Sequence, residues 1–253
     1  MERDANEIIG LERVPEPQWA FYDDVLAAAR ATGKPFALGG ALAWAAYCGH
    51  YRNTKDIDIY VPMESRQDFI DAVTKVGAVD YYDTLTYDRG WIYRSSRDGS
   101  IADWIWAMAN YMRPLDEDYF NGETTLALRG NTYRVLPAEE LILNKLYIMN
   151  RTRCDWFDVF NLFYATNGAL DWERLISKLG DDKILLGSAL RIFSWICPGR
   201  VKLFPRGLWE TLGMAKPNGD GPDIVEKRIN YLDSRPWFIP ALKPGERPFA
   251  EGD

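Results

Sequence analysis

The sequence predicts an α+β fold in which a mixed β-sheet flanked by helices is followed by a mostly helical domain. Short segments of the first half alternate polar and apolar residues as half-buried strands do, and residues 56–61 show this most clearly. Beyond residue 137 the apolar residues instead recur three and four positions apart, as on one face of a helix. The composition, 47% hydrophobic and 14% aromatic, is sufficient for a buried core and argues against disorder.

We expect three segments along the 253 residues: a sheet domain over 1–136, a helical domain over 137–235 and an extended tail over 236–253. Pro137 marks the first boundary because two glutamates follow it, and acids in a first turn complement the helix dipole. Prolines recur through the last segment, which favours an extended path along the surface.

Glycines delimit the predicted elements of the sheet domain. Gly33, Gly49 and Gly77 end three helices, and Asp98-Gly99 predicts a tight hairpin turn. In order, the prediction for this domain is helix 18–32, strand 35–38, helix 41–48, strand 56–61, helix 64–76, and strands 79–84, 90–95, 100–106, 124–128 and 132–136. The predicted helices of the second domain are 138–150, 154–166, 172–179, 185–196 and 223–232.

Charge and residue usage narrow the classes of function. The net charge of −7 and the pI near 5.0 argue against a broad nucleic-acid-binding surface, which is usually basic. His50 is the only histidine, so histidine-based nucleophilic or zinc chemistry has little to build on. The three cysteines are widely spaced, which fits a reduced, cytoplasmic protein, and no apolar stretch is long enough for a membrane helix.

Asp56 and Asp58 are the first candidate site residues. Side chains two apart on a strand point to the same face, so these carboxylates stand about 6.6 Å apart while Ile57 and Ile59 face the core. Their repulsion is on the order of 3 kcal/mol at an effective dielectric constant near 20, a cost that a cation between them removes. Mg²⁺ prefers oxygen ligands and commonly also binds substrate phosphates, so the pair predicts a magnesium site.

Gly39 and Gly40 precede a predicted helix and are the next candidates. Without a Cβ, the chain at a glycine approaches a phosphate closely, and the amide groups that open the following helix bind an anion. A Gly-Gly pair alone is usually a turn, and Asp-x-Asp alone is common in an acidic chain. The order of strand, Gly-Gly, helix, loop and Asp-x-Asp strand is what predicts a site for phosphate and metal.

Asp103 lies among apolar and aromatic residues of the strand predicted over 100–106. A buried carboxylate without a partner is costly, so this side chain either has a cationic partner or faces a site. Arg94 and Arg97 are the candidate partners under the first interpretation. Under the second, Asp103 lies in the site that the Asp-x-Asp strand forms.

One motif of the chain resembles a known family, and it comprises Leu38-Gly39-Gly40, Arg52, Thr54 and Asp56-Ile57-Asp58-Ile59. It resembles the signature of the DNA polymerase β-type nucleotidyltransferases, and most of all their minimal bacterial branch that includes the AbiEii-like toxins. A predicted helix carrying Lys145, followed by arginines and aspartates over residues 151–158, is similar to the same branch. From the residues alone, Lys145 is either a phosphate contact or a lysine whose ammonium group reaches water.

The resemblance implies a reaction, namely transfer of a nucleoside monophosphate from a nucleoside triphosphate to an acceptor hydroxyl. The implied metal-binding and catalytic residues are Asp56, Asp58 and Asp103, holding two Mg²⁺ ions with Mn²⁺ as an alternative. The implied nucleotide contacts are Gly39, Gly40, Thr54 and Lys145. The acceptor stays open among tRNA, a protein and a small molecule, and a cognate antitoxin is an implied partner. The alternative is a catalytically silent module of the same fold that binds nucleotide or protein.

Overall fold

The computed structural model describes residues 1–109, 113–243 and 246, and it divides the chain into two compact units, Met1–Pro137 and Ala138–Asp253. The strands are β1 Glu2–Asp4, β2 Ala37–Leu38, β3 Asp56–Tyr60, β4 Val79–Asp80, β5 Ile92–Arg97, β6 Ser100–Ile105, β7 Thr125–Leu128 and β8 Asn131–Arg134. The α-helices are α1 Glu16–Ala31, α2 Gly40–Cys48, α3 Arg66–Lys75, α4 Ala138–Leu146, α5 Trp156–Ala165, α6 Trp172–Leu179, α7 Lys183–Ile196, α8 Arg206–Thr211 and α9 Glu226–Leu232. The predicted α+β class, with a mixed sheet followed by helices, is confirmed.

The main sheet of the first unit has five strands in the order β2-β3-β6-β5-β4. β3 and β6 run parallel, and the other neighbouring pairs are antiparallel, which makes the sheet mixed. One face is apolar because alternate residues of the two central strands, such as Ile57, Ile59 and Trp104, are fully buried. Trp104 packs on Phe69 of α3 with ring centroids 5.7 Å apart, so α3 covers this apolar face.

A second sheet of three strands, in the order β1-β7-β8, is an addition to the prediction. β7 and β8 form the expected hairpin, and β1 pairs with β7 in parallel. β1 has no polar–apolar alternation to predict it, because its three residues, Glu2–Asp4, are all charged. β1 is an edge strand whose side chains lie partly in water, where charged residues are common.

The strand predicted over 79–84 is wrong beyond its first two residues. β4 ends at Asp80, whose carboxylate accepts a hydrogen bond from the Tyr82 backbone N–H and starts a 3₁₀ turn over Tyr81–Asp83. Aspartate side chains compete in this way for backbone donors that a strand would use. The aromatic residues that suggested a strand here belong to that turn.

The second unit is built from α4 to α9. Its core contains an aromatic cluster in which Phe163 and Phe193 meet edge to face, with centroids 5.5 Å apart, and Phe204 packs on both. The helix predicted over 138–150 ends earlier, at Leu146. The short helix α8 was not predicted because Pro205 and Gly207 suggested a loop, whereas a proline just before the first turn is compatible with a helix start.

The segment predicted as an extended tail packs on the second unit as far as the structure describes it. Asn161 of α5 donates a hydrogen bond to the Trp237 carbonyl at 2.8 Å and accepts one from the Ile239 N–H at 3.0 Å. Phe238 between them is buried. Residues 244–245 and 247–253 of this segment lie outside the described residues. No helix in the described ranges has the length and apolar character needed to cross a bilayer.

Candidate functional site

Three aspartates lie on one face of the main sheet. β3 and β6 pair in register, with Asp58 opposite Asp103 and Asp56 opposite Ile101. Residues directly opposite each other on neighbouring strands share a face, and so do residues two apart on one strand. Asp56, Asp58 and Asp103 therefore point away from the apolar face, with neighbouring strands about 4.8 Å apart. We call this row the acid row.

The Gly39-Gly40 bend lies directly against the acid row. The Gly39 N–H donates to the Asp58 carbonyl at 2.9 Å, which fixes the bend to β3. A Cβ on Gly40 would lie 1.6 Å from the Asp58 Oδ2 atom, and Gly40 has a φ of +48°. Only glycine meets both conditions, because it has no Cβ and adopts a positive φ without strain. Asp58 thus faces the first turn of α2, where backbone N–H groups favour anions.

Gly39 is required for a different reason. Its backbone is extended, with φ −115° and ψ −151°. A Cβ at this position would lie 2.2 Å from the ring of Tyr60, which is buried and stacked on Tyr119 with centroids 5.9 Å apart. The ring occupies the space beside the bend, so any larger residue at Gly39 would displace it.

Asp103 has an arginine partner on the neighbouring strand. Arg94 of β5 lies opposite Asp103 and donates from Nε to Oδ1 at 2.7 Å and from Nη2 to Oδ2 at 2.5 Å. Burial raises the pKa of the Asp103 carboxyl and Arg94 opposes this increase, while Asp103 raises the pKa of the Arg94 guanidinium. Asp103 therefore has the cationic partner of the first interpretation and shares a face with Asp56 and Asp58, while its role in a site stays a prediction.

The arginine that pairs with Asp103 could have been chosen from the sequence. Asp98 and Gly99 both have positive φ, 52° and 82°, as a two-residue hairpin turn requires. Such a turn pairs Arg97 with Ser100, and counting outward places Arg94 opposite Asp103. Arg97 then lies on the other face of β5, where it bonds to Asp24 of α1 at 2.7 Å.

The loop before β3 is fixed by a side chain that sequence reasoning missed. Gln18 of α1 is buried and exchanges two hydrogen bonds with Asn53, from Nε2 at 2.9 Å and from Asn53 Nδ2 at 3.0 Å. Asn53 also accepts the Lys55 N–H at 2.9 Å, and Lys55 has a φ of +63°. A glutamine on the buried side of an amphipathic helix needs a partner. That requirement is the signal that could have identified Gln18 as the residue that anchors the loop.

Two further predicted loop residues lie beside this turn. Thr54 is exposed, between the Asn53 anchor and Asp56. His50 lies farther back, where its Nδ1 atom is 3.2 Å from the Cys48 carbonyl. The predicted role of Thr54 as a nucleotide contact stays a prediction.

Lys145 belongs to the second unit and forms a buried ion cluster there. Its Nζ donates to Asp155 at 3.0 Å and to Asp158 at 2.5 Å, and Arg153 pairs with Asp155 at 2.8 Å. The alternative in which the ammonium group reaches water is wrong, because the Lys145 side chain is only 11% exposed. Burial would lower the pKa of Lys145, but the two carboxylates outweigh it and raise that pKa. Its predicted phosphate contact stays a prediction.

The acid row fits a magnesium ion that takes part of its ligands from a substrate. Asp56 and Asp58 offer oxygen donors on one face, and the missing Cβ of Gly40 lets the Asp58 Oδ2 atom lie against the start of α2. Within residues 1–109, 113–243 and 246, no three acidic, histidine or cysteine side chains converge closely enough to hold a metal by themselves. Mg²⁺ is commonly held by one or two carboxylates together with water and substrate phosphates, and this arrangement matches that pattern.

No protein-family model matches the sequence, and no curated protein matches it. Among solved structures, the chain is similar to the antibiotic-resistance factor ANT(2'')-Ia, with 18% identity, 70% of this chain and 97% of that chain covered, and a TM-score of 0.46. It is also similar to the lincosamide antibiotic adenylyltransferase LnuA, with 18% identity, 60% and 99% covered, and a TM-score of 0.44. A third is JHP933 from Helicobacter pylori, with 14% identity, 87% and 98% covered, and a TM-score of 0.35. These similarities are distant.

Proposed function

We propose that the protein is a magnesium-dependent nucleotidyltransferase that moves a nucleoside monophosphate from a nucleoside triphosphate to an acceptor hydroxyl. The observation that supports this most is the position of Asp58, which faces Asp103 across β3 and β6 and abuts Gly40 at the start of α2. Acidic oxygen ligands and backbone donors for phosphate are thereby adjacent. A site for a metal–triphosphate complex needs both.

Asp56 and Asp58 would hold the metal, on the face away from the core. Bound there with the triphosphate, Mg²⁺ would supply electrostatic stabilisation to the attacking and leaving oxygens, and the superfamily resemblance favours two such ions. The backbone at Gly39 and Gly40 would receive the phosphates, since the α2 N-terminus favours anions. Thr54 completes the proposed nucleotide contacts in this unit.

Asp103 would accept the proton of the acceptor hydroxyl. In the proposed step the acceptor oxygen bonds to the α-phosphorus, the bond from that phosphorus to the leaving oxygen breaks, and pyrophosphate departs. The proton that the hydroxyl loses passes to an Asp103 carboxylate oxygen. Because burial raises the pKa of Asp103, its carboxylate is a better proton acceptor than an exposed aspartate.

The test is transfer of label from each α-labelled nucleoside triphosphate with Mg²⁺. Acceptor mixtures are bulk tRNA, a protein extract, an aminoglycoside and a lincosamide, with pyrophosphate release as the second readout. Transfer to tRNA would support a toxin-like enzyme, as the resemblance to the AbiEii-like branch implies, with a cognate antitoxin as its expected partner. Transfer to a small molecule would support a modifying enzyme.

The matched variants use two Asp-x-Asp segments of this chain. Asp56→Asn with Asp58→Asn should abolish transfer. Asp116→Asn with Asp118→Asn should leave it unchanged, because Asp116 caps a 3₁₀ turn outside the Asp-x-Asp strand and asparagine caps equally well. Nucleotide binding without pyrophosphate release from any mixture would instead identify the catalytically silent module.

A further inference from the structure

Arg94 carries a positive charge and lies beside the acid row on the next strand. This position follows because β6 pairs with β3 on one side and with β5 on the other. Asp58, Asp103 and Arg94 consequently lie opposite one another on three adjacent strands. The Arg94 side chain is 27% exposed, whereas the Asp103 side chain is 3% exposed.

The Arg94–Asp103 pair differs from the other arginine pairs of the same sheet. Arg97 on β5 pairs with Asp24, whose side chain is 52% exposed, and Arg89 pairs with Asp80, which is 31% exposed. Pairs of that kind contribute little to stability because water competes for both partners. Water hardly reaches the buried carboxylate of Asp103, so the orientation of this carboxylate depends on Arg94.

The geometry of the pair orients a carboxylate without using all its acceptor capacity. An ionised carboxylate has about four lone-pair positions, and the two parallel bonds from Arg94 use two of them. A planar guanidinium that bonds through Nε and Nη2 also fixes the carboxylate plane, which a lysine ammonium group cannot do. Among the residues that the structure describes, only Arg94 donates to Asp103, so the remaining lone pairs are left for another ligand.

We propose that Arg94 is a positioning residue for the transfer reaction, holding the Asp103 carboxylate in the one orientation that receives the proton of the acceptor hydroxyl. This inference rests on the proposed function. It adds a residue on a third strand to the acidic and glycine positions, and it assigns the residue to the chemical step rather than to nucleotide binding. Misplacing a catalytic group by about 1 Å can cost 10²-fold in rate.

The test compares Arg94→Lys with Arg97→Lys, a control on the same strand but the opposite face. Arg94→Lys keeps the charge and loses the two-bond geometry, so kcat should fall at least about tenfold while KM for the nucleotide stays within about twofold. The Kd for the α,β-methylene analogue of the nucleoside triphosphate with Mg²⁺, measured by calorimetry, should also stay within about twofold of the wild-type value. Arg97→Lys should change none of these values. Combining Arg94→Lys with Asp103→Asn should lower kcat no further than Asp103→Asn alone.

Thermal unfolding of each variant separates positioning from folding. If Arg94→Lys is folded and its kcat equals that of the wild type, the proposal is overturned. A rise in KM or in Kd with kcat unchanged would make Arg94 a nucleotide ligand and would also overturn it. If neither Arg94→Lys nor Arg94→Gln folds, Arg94 is purely structural and the proposal fails. If the wild-type protein transfers no label at all, the proposed function fails and takes this inference with it.

Discussion

Replacing Gly40 with alanine is the most direct perturbation of the contact between the α2 N-terminus and Asp58. The added Cβ would lie 1.6 Å from Asp58 Oδ2, and an unstrained contact is about 3.4 Å, so the carboxylate oxygen must move by roughly 1.8 Å. Gly49 ends the same helix with a φ of +74° and has nothing within 4 Å of its Cβ position. Gly49→Ala therefore imposes a similar backbone strain without displacing any side chain.

The two variants are expected to differ in both stability and activity. Alanine at a left-handed position costs about 1–2 kcal/mol, which both variants share. Gly40→Ala adds an overpacking cost of about 1–3 kcal/mol, because Asp58 must leave its position. A displacement of more than 1 Å in a metal-binding carboxylate should reduce transfer about 10²-fold or more. The Gly49→Ala protein, once folded, should keep the activity of the wild type.

Urea denaturation gives the two free energies of unfolding, and the label-transfer assay gives the two rates at a temperature where both variants are folded. A Gly40→Ala protein whose rate is within about twofold of Gly49→Ala would refute the reasoning, because Asp58 would then tolerate the displacement. Equal unfolding free energies for the two variants would refute the steric part alone.

Three further predictions concern the ion cluster of the second unit and the loop anchor of the first. Lys145→Met should lower the free energy of unfolding by about 3–5 kcal/mol in urea, because it removes the cation that the buried carboxylates of Asp155 and Asp158 share. Burial alone would raise the pKa of Asp155, but Lys145 and a neighbouring arginine lower it to about 2, so this carboxylate stabilises the fold above about pH 4 and loses that contribution as the pH falls towards 2. Asp155→Asn should remove this acid-dependent part, about 2 kcal/mol between pH 5 and pH 2 in urea titrations, and an unchanged pH profile would contradict the assignment. Gln18→Ala should lower the free energy of unfolding by about 1–3 kcal/mol and reduce transfer, because the hydrogen bonds to Asn53 are lost. The control Gln67→Ala removes an exposed hydrogen bond and should cost less than about 0.5 kcal/mol. Equal losses of stability and of activity in the two variants would show that the bonds from Gln18 to Asn53 are not needed.

The parts of the fold that local sequence dictates were predicted closely. The helix predicted over 172–179 coincides with α6, because Asp171 caps it and its apolar stripe is strongly periodic. β3 was also predicted from local sequence, because the alternation of polar and apolar residues that begins with Asp56 and Ile57 is recognisable within a few residues. Where a side chain captured a backbone donor instead, as Asp80 does, the prediction of a strand was wrong.

Which residues lie together in the site was harder to predict from the sequence than the individual candidate residues. The hairpin turn at Asp98-Gly99 determines that Arg94 faces Asp103, and this could have been derived from a two-residue loop. The parallel pairing of β3 with β6 has no comparable local signal, because it joins Asp58 to a residue 45 positions later. Parallel neighbours need a long crossover, and the sequence between them does not encode the register. The resemblance, rather than the pattern, placed Asp103 with the other two acids.

The orientation of Asp103 depends on the residue beside it. Trp104 is fully buried against Phe69, and its indole N–H donates to the Ser95 hydroxyl at 3.2 Å. Removing a buried tryptophan from a core costs about 3–5 kcal/mol. Because side chains alternate along a strand, a shift of β6 by one residue would turn Trp104 onto the face of Asp58 and Arg94. The same shift would turn Asp103 into the apolar face, adding the cost of an unpaired buried charge. The burial of Trp104 on one side of β6 therefore holds the Asp103 carboxylate on the other side, opposite Asp58, although burial is unfavourable for a carboxylate.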